Sequence, residues 1–191
     1  MSTLDIKLFC DGAAKKNRDG SFGSYILIEG EEKSSLARPF TDVTNNQMEL
    51  MGFIHPMTFI YNRLKDNNAD INITVVSDSQ YLIKGVNEWM ENWKRNGWKT
   101  ASRKAVMNKE LWIIVNDLIH NVPNKLNKNV NFNFVWTKGH TKIDESSSLF
   151  KVYNDKCDKL ANDILVNTSI DKYRNLNEHV LNVSNTLNNF L

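Results

Sequence analysis

Four acidic residues could carry out chemistry together. They are Asp11, Glu49, Asp78 and Asp158. Carboxylates within ~4–6 Å of one another repel strongly, and bound divalent cations are the simplest remedy. Oxygen ligands without a His or Cys cluster favour Mg²⁺, with Mn²⁺ as a possible substitute. Two such ions about 3.5–4 Å apart can clamp the attacking and leaving oxygens of a phosphoryl displacement. The four acids therefore predict phosphoryl-transfer chemistry that depends on two metal ions.

Each acid on its own also has an ordinary structural explanation. An Asp that follows a strand is often a turn former, and an acid at the margin of a helix is usually solvated. Four acids at matching edges of elements that must pack together are harder to explain in this way. The shared-site interpretation therefore depends on where the secondary structure places them.

Two of the acids end predicted β-strands. Residues 5–12, DIKLFCDG, alternate apolar and polar side chains and run into Asp11, while the β-branched stretch INITVVSD (71–78) ends at Asp78. Open α/β sheets bind ligands outside the carboxyl ends of their strands. If the two strands are parallel neighbours joined through a helix, their terminal carboxylates lie side by side.

The other two acids border the apolar faces of predicted helices. The capping box formed by Thr44 and Gln47 starts a helix whose core-facing arc passes beside Glu49, and Pro56 predicts a kink in it. Asp158 borders a second helical stripe. The side chains of that stripe are Cys157, Leu160, Ala161, Ile164 and Leu165.

The full element order predicts an α/β fold. It is β-β-β-α-β-α…α-β-α, a five-stranded mixed sheet flanked by helices. Residues 79–120 should be mostly helical with a break near residues 96–97, and residues 106–120 give the clearest helix. The predicted domain spans residues 1–166. Residues 167–191 form a C-terminal extension in which apolar side chains recur at roughly helical spacing and predict one amphipathic helix. These are Ile170, Tyr173, Leu176, Val180 and Leu187.

Composition excludes several classes of protein. With 191 residues, 41% hydrophobic and 24% charged, the chain is neither disordered nor membrane-spanning. It has no apolar run of the ~18 residues that a membrane helix needs, and its N-terminus lacks the pattern of a signal peptide. Two cysteines suit a reducing compartment. We therefore expect a cytoplasmic protein without a membrane partner, and nothing indicates an obligatory protein partner.

The net charge of +2 conceals an uneven distribution. Residues 84–109 contain seven Lys and Arg against two Glu, a net of +5, which leaves about −3 for the remaining chain. Three tryptophans, Trp89, Trp93 and Trp98, alternate with these cations. This division favours a basic surface that binds a polyanion beside an acidic site. The alternative is that the tryptophans are core anchors, an interpretation that we favour for Trp93.

The chain also resembles a known protein family. Over roughly residues 5–165 it resembles ribonuclease H of type 1, the bacterial-like group. The motifs that carry the resemblance occur in the family's order: FCDG, TNNQMEL, SDSQYLIKGVNEWMENWKRNGWKT, ELW, WTKGH and NDKCDKLA. The resemblance implies an endonuclease that hydrolyses the RNA strand of RNA–DNA hybrids and leaves 5′-phosphate and 3′-hydroxyl ends.

The resemblance also implies roles for single residues. Asp11, Glu49, Asp78 and Asp158 are the metal-binding acids, with Asp11 bridging two Mg²⁺ ions, and His140 assists catalysis and product release. Other positions match contacts with the hybrid. Those along its minor groove are Asn17, Asn45, Asn46 and Gln80, and those at a DNA phosphate pocket are Thr44 and Asn108. Trp89 matches a contact with DNA sugars, and the basic protrusion contributes Lys94, Arg95 and Lys99.

Two other functions compete with a hybrid-specific ribonuclease. A DNA nuclease or recombinase of the same broad fold would lack the basic protrusion. A non-catalytic module that only binds hybrids would have lost a carboxylate, whereas all four are present. Assays with Mg²⁺ on hybrid, double-stranded RNA and double-stranded DNA discriminate among these functions.

Overall fold

A six-stranded mixed sheet forms the centre of the molecule. The computed structural model describes residues 2–139, 143–144 and 146–189. The strands are β1 (Thr3–Ala14), β2 (Gly20–Ile28), β3 (Glu31–Thr41), β4 (Asp70–Ser77), β5 (Val130–Trp136) and β6 (Arg174–Asn175). Their order across the sheet is β5-β4-β1-β2-β3-β6. The first three strands are antiparallel neighbours, and β1, β4 and β5 run parallel. The five predicted strands are confirmed, and the two-residue strand β6 was not predicted.

Seven α-helices accompany the sheet in the described part of the chain. They are α1 (Asn45–Leu64), α2 (Gln80–Lys84), α3 (Met90–Arg95), α4 (Lys109–Asn116), α5 (Val122–Lys125), α6 (Leu149–Asn167) and α7 (Leu176–Asn188). Two π-helical turns, Gly85–Trp89 and Asp117–Asn121, join α2 to α3 and α4 to α5. The helix predicted over residues 106–120 therefore begins later, at Lys109, and its helical path continues to Lys125. None of the described helices is both long and apolar enough to cross a membrane.

The sheet is covered on both faces. On one face Ile6, Leu8 and Cys10 of β1 join the main core with helix α1, as their alternation predicted. On the other face Phe9 stacks on Tyr153 of α6, with ring centroids 4.7 Å apart. Because helices cover both faces of the sheet, the carboxyl ends of the parallel strands are where a ligand can reach it.

Helix α1 continues through Pro56 as a single element from Asn45 to Leu64. A proline lacks the N–H that would bond the carbonyl four residues earlier, here that of Gly52. The Ser24 hydroxyl of β2 donates to that carbonyl oxygen at 2.8 Å. A sheet residue therefore satisfies the acceptor that the proline leaves free, which keeps the buried helix intact.

The C-terminal extension packs on the core of its own chain. Strand β6 pairs with Phe40 and Thr41 at the edge of β3, and Asn175 then caps α7. Leu176 and Leu187 of α7 are buried in the main core. The predicted amphipathic helix exists, but it begins at Leu176. Ile170 and Tyr173 were wrongly assigned to this helix. Ile170 lies in a short 3₁₀ turn, Ile170–Lys172, and is 67% exposed, and Tyr173 follows that turn with an extended backbone.

Two histidines meet where α7 rests on α1. The rings of His55 and His179 have centroids 5.2 Å apart, and Phe22 and Phe40 pack beside them. The Arg38 guanidinium donates from Nε to Nε2 of His55 at 3.1 Å, whereas Nε2 of His179 is buried without a hydrogen-bond partner. Burial, followed by the positive charge of Arg38, lowers the pKa of His55 to about 3 and that of His179 to about 4. Arg174 of β6 adds to the positive charge at both rings.

This cluster predicts that acid destabilises the protein. In the unfolded chain both histidines become protonated below about pH 6.5, whereas in the folded chain they stay neutral down to about pH 4 or lower. The unfolded chain therefore binds more protons in this range, and stability falls as the pH falls through it. Each histidine contributes a slope of at most about 1.4 kcal/mol per pH unit. Urea unfolding at pH 7.5, 6.0 and 5.0 measures it. His179→Phe keeps an aromatic ring beside Phe40 and should reduce the loss; an unchanged slope in that variant would contradict the assignment.

Candidate active site

The four acids line one open cleft at the carboxyl edge of the parallel strands. Asp11, Glu49, Asp78 and Asp158 surround a cavity of about 470 Å³. Asp11 lies within β1, Glu49 in the first turns of α1, Asp78 directly after β4, and Asp158 on α6. Two strands and two helices that are distant in sequence thus bring together the carboxylates that the sequence singled out.

A glycine allows the first two acids to approach each other. A Cβ atom added to Gly12 would lie 2.3 Å from the backbone nitrogen of Glu49 and 2.4 Å from the carbonyl carbon of Met48. No larger residue fits without moving α1 away from β1. This contact explains why glycine follows Asp11 in the sequence.

Asp11 is the most deeply placed of the four acids. Its residue surface is only 6% exposed, and one carboxylate oxygen accepts the N–H of Gly12 at 2.7 Å. Burial is the first cause that raises its pKa to about 8, and the neighbouring carboxylates of Asp78, Asp158 and Glu49 add to the effect. A cation bound at the cleft would offset the repulsion among these carboxylates.

Neutral side chains hold Glu49 on both of its oxygens. Asn45, one helical turn earlier, donates to Oε1 at 2.7 Å, and Ser79 donates from its hydroxyl to Oε2 at 2.5 Å. Burial still raises the pKa of Glu49, against the opposing effect of the Ser79 hydrogen bond. Glu49 is therefore half-buried and aimed at the cleft, in agreement with its predicted position.

Two asparagines on α6 donate hydrogen bonds to the side chains of Asp78 and Asp158. Asn154 donates to Oδ2 of Asp78 at 3.1 Å, and Asn162 donates to Oδ1 of Asp158 at 2.9 Å. The sequence analysis assigned no role to either asparagine. Both stand four residues from Asp158, one before and one after, so helical spacing could have placed them on its face.

The backbone at Gly139 packs against the carboxylate of Asp78. A Cβ atom at this position would lie 1.7 Å from Oδ2 of Asp78. The Trp136 indole also donates to the main-chain carbonyl of Asp78 at 2.9 Å. The segment after β5 therefore packs directly on this acid. His140, the next residue, lies outside the described residues.

The donor set suits a hard divalent cation. All four acids offer oxygen, and the hydrogen bonds that reach them from the described side chains come from neutral amides and hydroxyls. Among the described residues, no three His, Cys, Asp or Glu side chains are arranged to hold a metal ion as they stand.

One of the four predicted minor-groove contacts lines the cleft, and the other three lie on neighbouring turns of the chain. Asn45 lines it directly, Asn46 follows at the start of α1, and Gln80 begins α2 two residues after Asp78. Asn17 lies in the turn between β1 and β2, where it exchanges hydrogen bonds with Asp19. These four amides therefore come from three separate turns of the chain.

The residues of the predicted phosphate pocket are also near one another. Thr44 and Gln47 form the capping box of α1, and Gln47 shares a cavity of about 250 Å³ with Asn108. Asn108 has a left-handed backbone, φ +56°, and donates to the Tyr81 hydroxyl at 3.2 Å. Beside them, Arg18 pairs with Asp42 at 2.7 Å.

The basic segment extends from α2 towards α4. Trp89 packs between Tyr81 and Trp93, with ring centroids 6.5 and 5.8 Å away, so it is partly a packing residue. Lys94 is paired with Glu91 at 2.9 Å. Arg95 and Lys99 are exposed. Two of the three predicted cations, Arg95 and Lys99, thus face solvent, whereas Lys94 is half-buried and engaged with Glu91.

Comparisons with known proteins agree with this geometry. The family model described as RNase H matches residues 4–165. The chain is 34% identical over 164 residues to Ribonuclease H of Clostridium botulinum, covering 84% of this chain and 95% of that one. It is 37% identical over 155 residues to Ribonuclease H of Francisella tularensis subsp. novicida, covering 81% and 86%. The family match ends before the C-terminal extension.

Solved structures share the fold at low sequence identity. LC9-RNase H1, described as a type 1 RNase H with the type 2 active-site motif, has a TM-score of 0.64 at 17% identity, covering 88% of this chain and 75% of that one. LC11-RNase H1, solved in complex with RNA/DNA hybrid, has a TM-score of 0.56 at 17% identity, covering 83% and 94%.

Proposed function

Because the chain belongs to the ribonuclease H family, we propose that it hydrolyses the RNA strand of RNA–DNA hybrids and leaves 5′-phosphate and 3′-hydroxyl ends. The convergence of four carboxylates on one cleft carries this proposal. A module that only binds hybrids has no need for a buried carboxyl group such as that of Asp11, whose pKa is raised to about 8.

Asp11, Glu49, Asp78 and Asp158 would hold two Mg²⁺ ions, with Mn²⁺ as a possible substitute. Bound there, the ions would activate a water molecule and neutralise charge on the reacting phosphate. The protein's own contribution is to hold the acids in place: Gly12 and Gly139 allow the backbone to approach them closely, and neighbouring amides orient them. His140, which follows Gly139 in the sequence, would assist the release of the product.

The surrounding residues supply selectivity for the hybrid. Asn17, Asn45, Asn46 and Gln80 would lie along the minor groove, where 2′-hydroxyl groups distinguish RNA from DNA. Thr44 and Asn108 would grip a phosphate of the DNA strand. The ring of Trp89 would contact DNA sugars, and Lys94, Arg95 and Lys99 would contact phosphates.

Three parts of this proposal extend beyond the cleft. We place the catalytic domain at residues 1–166 and treat residues 167–191 as an extension that stabilises it. We also place the enzyme in the cytoplasm, because Cys10 and Cys157 are both free and buried.

A substrate panel tests the activity. With Mg²⁺ present, we expect cleavage of the RNA strand of a hybrid at least about 10³-fold faster than cleavage of double-stranded RNA or double-stranded DNA, a difference of ~4 kcal/mol in barrier height. End-labelled hybrids analysed on sequencing gels give both the rates and the product ends. Comparable cleavage of double-stranded DNA would favour a DNA nuclease of the same fold, and hybrid binding without any cleavage would favour a binding module.

A further inference from the structure

Trp136 is the exposed tryptophan of this chain. All five tryptophans lie within the described residues, and the other four are buried or half-buried, whereas Trp136 is 47% exposed. It ends β5 opposite Ser77 of β4, at the same sheet edge as the acidic cleft. Its Nε1 donates to the Asp78 carbonyl at 2.9 Å, which fixes the edge of the ring. The ring is thus held next to a proposed metal ligand while much of its surface faces solvent.

The ring forms one wall of a cavity separate from the acidic cleft. This cavity of about 290 Å³ is lined by Gln80, Ile83, Lys84, Glu88 and Trp136. Ile83 is buried and provides an apolar floor, while Gln80, Lys84 and Glu88 are exposed around it. The four helical residues lie on one face of the path from α2 into the following π-helical turn.

The chemistry of this lining matches one unit of a nucleic-acid backbone. An aromatic face and an aliphatic floor favour contact with the flat, apolar side of a sugar or base. Lys84 supplies a cation for a phosphate. Glu88 would repel a phosphate, but its carboxylate can accept a hydrogen bond from a hydroxyl group. A ribose offers that hydroxyl at its 2′ position, and a deoxyribose does not.

We propose that this cavity, which we call the Trp136 subsite, binds a ribose of the RNA strand next to the segment held over the acidic cleft. Trp136 packs on the sugar, Lys84 contacts its phosphate and Glu88 accepts the 2′-hydroxyl. The subsite rests on the proposed function, because the strand that occupies it is the one that the four acids would cleave. It extends RNA recognition beyond the amides along the minor groove.

Hybrid binding by the full-length chain tests the subsite. Fluorescence anisotropy of a labelled hybrid in EDTA measures affinity without cleavage. We expect Trp136→Ala to weaken binding roughly tenfold, because the substitution removes the aromatic face on which the sugar would pack. Trp136→Phe keeps a ring but removes the Nε1 donor, and we expect it to bind within about threefold of the parent. Equal losses in both variants would show that Trp136 acts through Asp78 and would overturn the subsite.

Two further measurements address the charged residues. Lys84→Ala should reduce the slope of log affinity against log salt by about 0.7–0.9. Lys65→Ala removes an exposed lysine between the end of α1 and the start of β4, and it should leave the slope unchanged. Single deoxyribose substitutions along the RNA strand should reveal one position at which the affinity of the parent falls roughly tenfold. At that position the affinity of Glu88→Ala should not fall further, because the carboxylate that accepts the 2′-hydroxyl is already absent. The absence of such a position would contradict the role of Glu88.

The outcome also separates this inference from the proposed function. The parent is first assayed for cleavage of the hybrid with Mg²⁺. If the parent cleaves the RNA strand but Trp136→Ala binds hybrid as tightly as the parent, only the subsite is wrong. If the parent does not cleave at all, the proposed function is wrong, and the subsite fails with it.

Discussion

The Asp11→Asn variant is expected to lose RNA-strand cleavage by at least about 10³-fold while remaining folded. Asp11 is the most buried acid of the cleft, and under the proposed mechanism an amide would neither bridge two cations nor supply the negative charge to hold them. Metal ions contribute several kcal/mol to transition-state stabilisation, and each 1.36 kcal/mol corresponds to a factor of ten in rate. Single-turnover cleavage of an end-labelled hybrid with Mg²⁺ measures the loss.

The same variant should be more stable than the parent when metal is absent. Burial and three neighbouring carboxylates raise the pKa of Asp11 to about 8. The unfolded chain ionises this group near pH 4, whereas the folded chain holds its proton until about pH 8, so the parent loses stability as the pH rises between these values. The advantage of Asp11→Asn should therefore widen from pH 5 to pH 8 in thermal unfolding with EDTA.

Added Mg²⁺ should narrow that difference. At about 100 times its dissociation constant, a ligand that binds only the folded state stabilises it by about 2.7 kcal/mol. The parent should show this gain and the variant should not. Asp66→Asn, which removes an exposed carboxylate after α1, is the matched control and should change neither rate nor stability. Near-full activity in Asp11→Asn would mean that the metal-binding role of this residue is wrong.

Removal of the C-terminal extension has the second large expected effect. A chain that ends after Thr168 keeps α6 and all four acids, but it loses β6 and α7. Leu176, Val183 and Leu187 then no longer cover the core, and the edge of β3 becomes unpaired. We expect the free energy of unfolding to fall by about 3 kcal/mol, which lowers Tm by roughly 6–12 °C for a chain of this size.

Activity should survive this truncation at temperatures where the shortened chain is folded, because no acid of the cleft lies beyond α6. Thermal unfolding and hybrid cleavage are measured on the same preparations. Val183→Asp, which keeps the full length but places a charge in the buried contact, should reproduce the loss of stability. A shortened chain as stable as the parent would show that the extension adds nothing to the fold. Lost cleavage in a folded shortened chain would show that the extension shapes the site.

Local patterns in the sequence determined the elements that position the cleft. The alternation in β1 predicted its core face, because every second side chain of a strand points the same way. The capping box at Thr44 predicted where α1 begins, since both of its hydrogen bonds lie within four residues. Asp78 followed from the end of β4, but the prediction that the first strand ends at Asp11 was wrong, because β1 continues to Ala14 in its pairing with β2. Asp11 still lies near Asp78 because the parallel pairing of β1 with β4 stops two residues earlier, at Phe9.

Contacts between distant segments were decided only by the tertiary structure. The Ser24 hydroxyl that satisfies the carbonyl left free by Pro56 lies 28 residues from its partner, Gly52. Asn154 lies 76 residues from Asp78, which it orients. The pairing of His55 with His179 required the extension to fold back onto α1.

The extension shows the same division within one segment. Helical spacing was enough to predict α7, but it could not show that Ile170 would be exposed or that two residues would add a strand to the edge of β3. Periodicity reports only which side chains share a face, because it arises from the backbone geometry of neighbouring residues. What that face contacts depends on shape and hydrogen-bonding partners supplied by chain far away in sequence, and these exist only once the sheet has assembled.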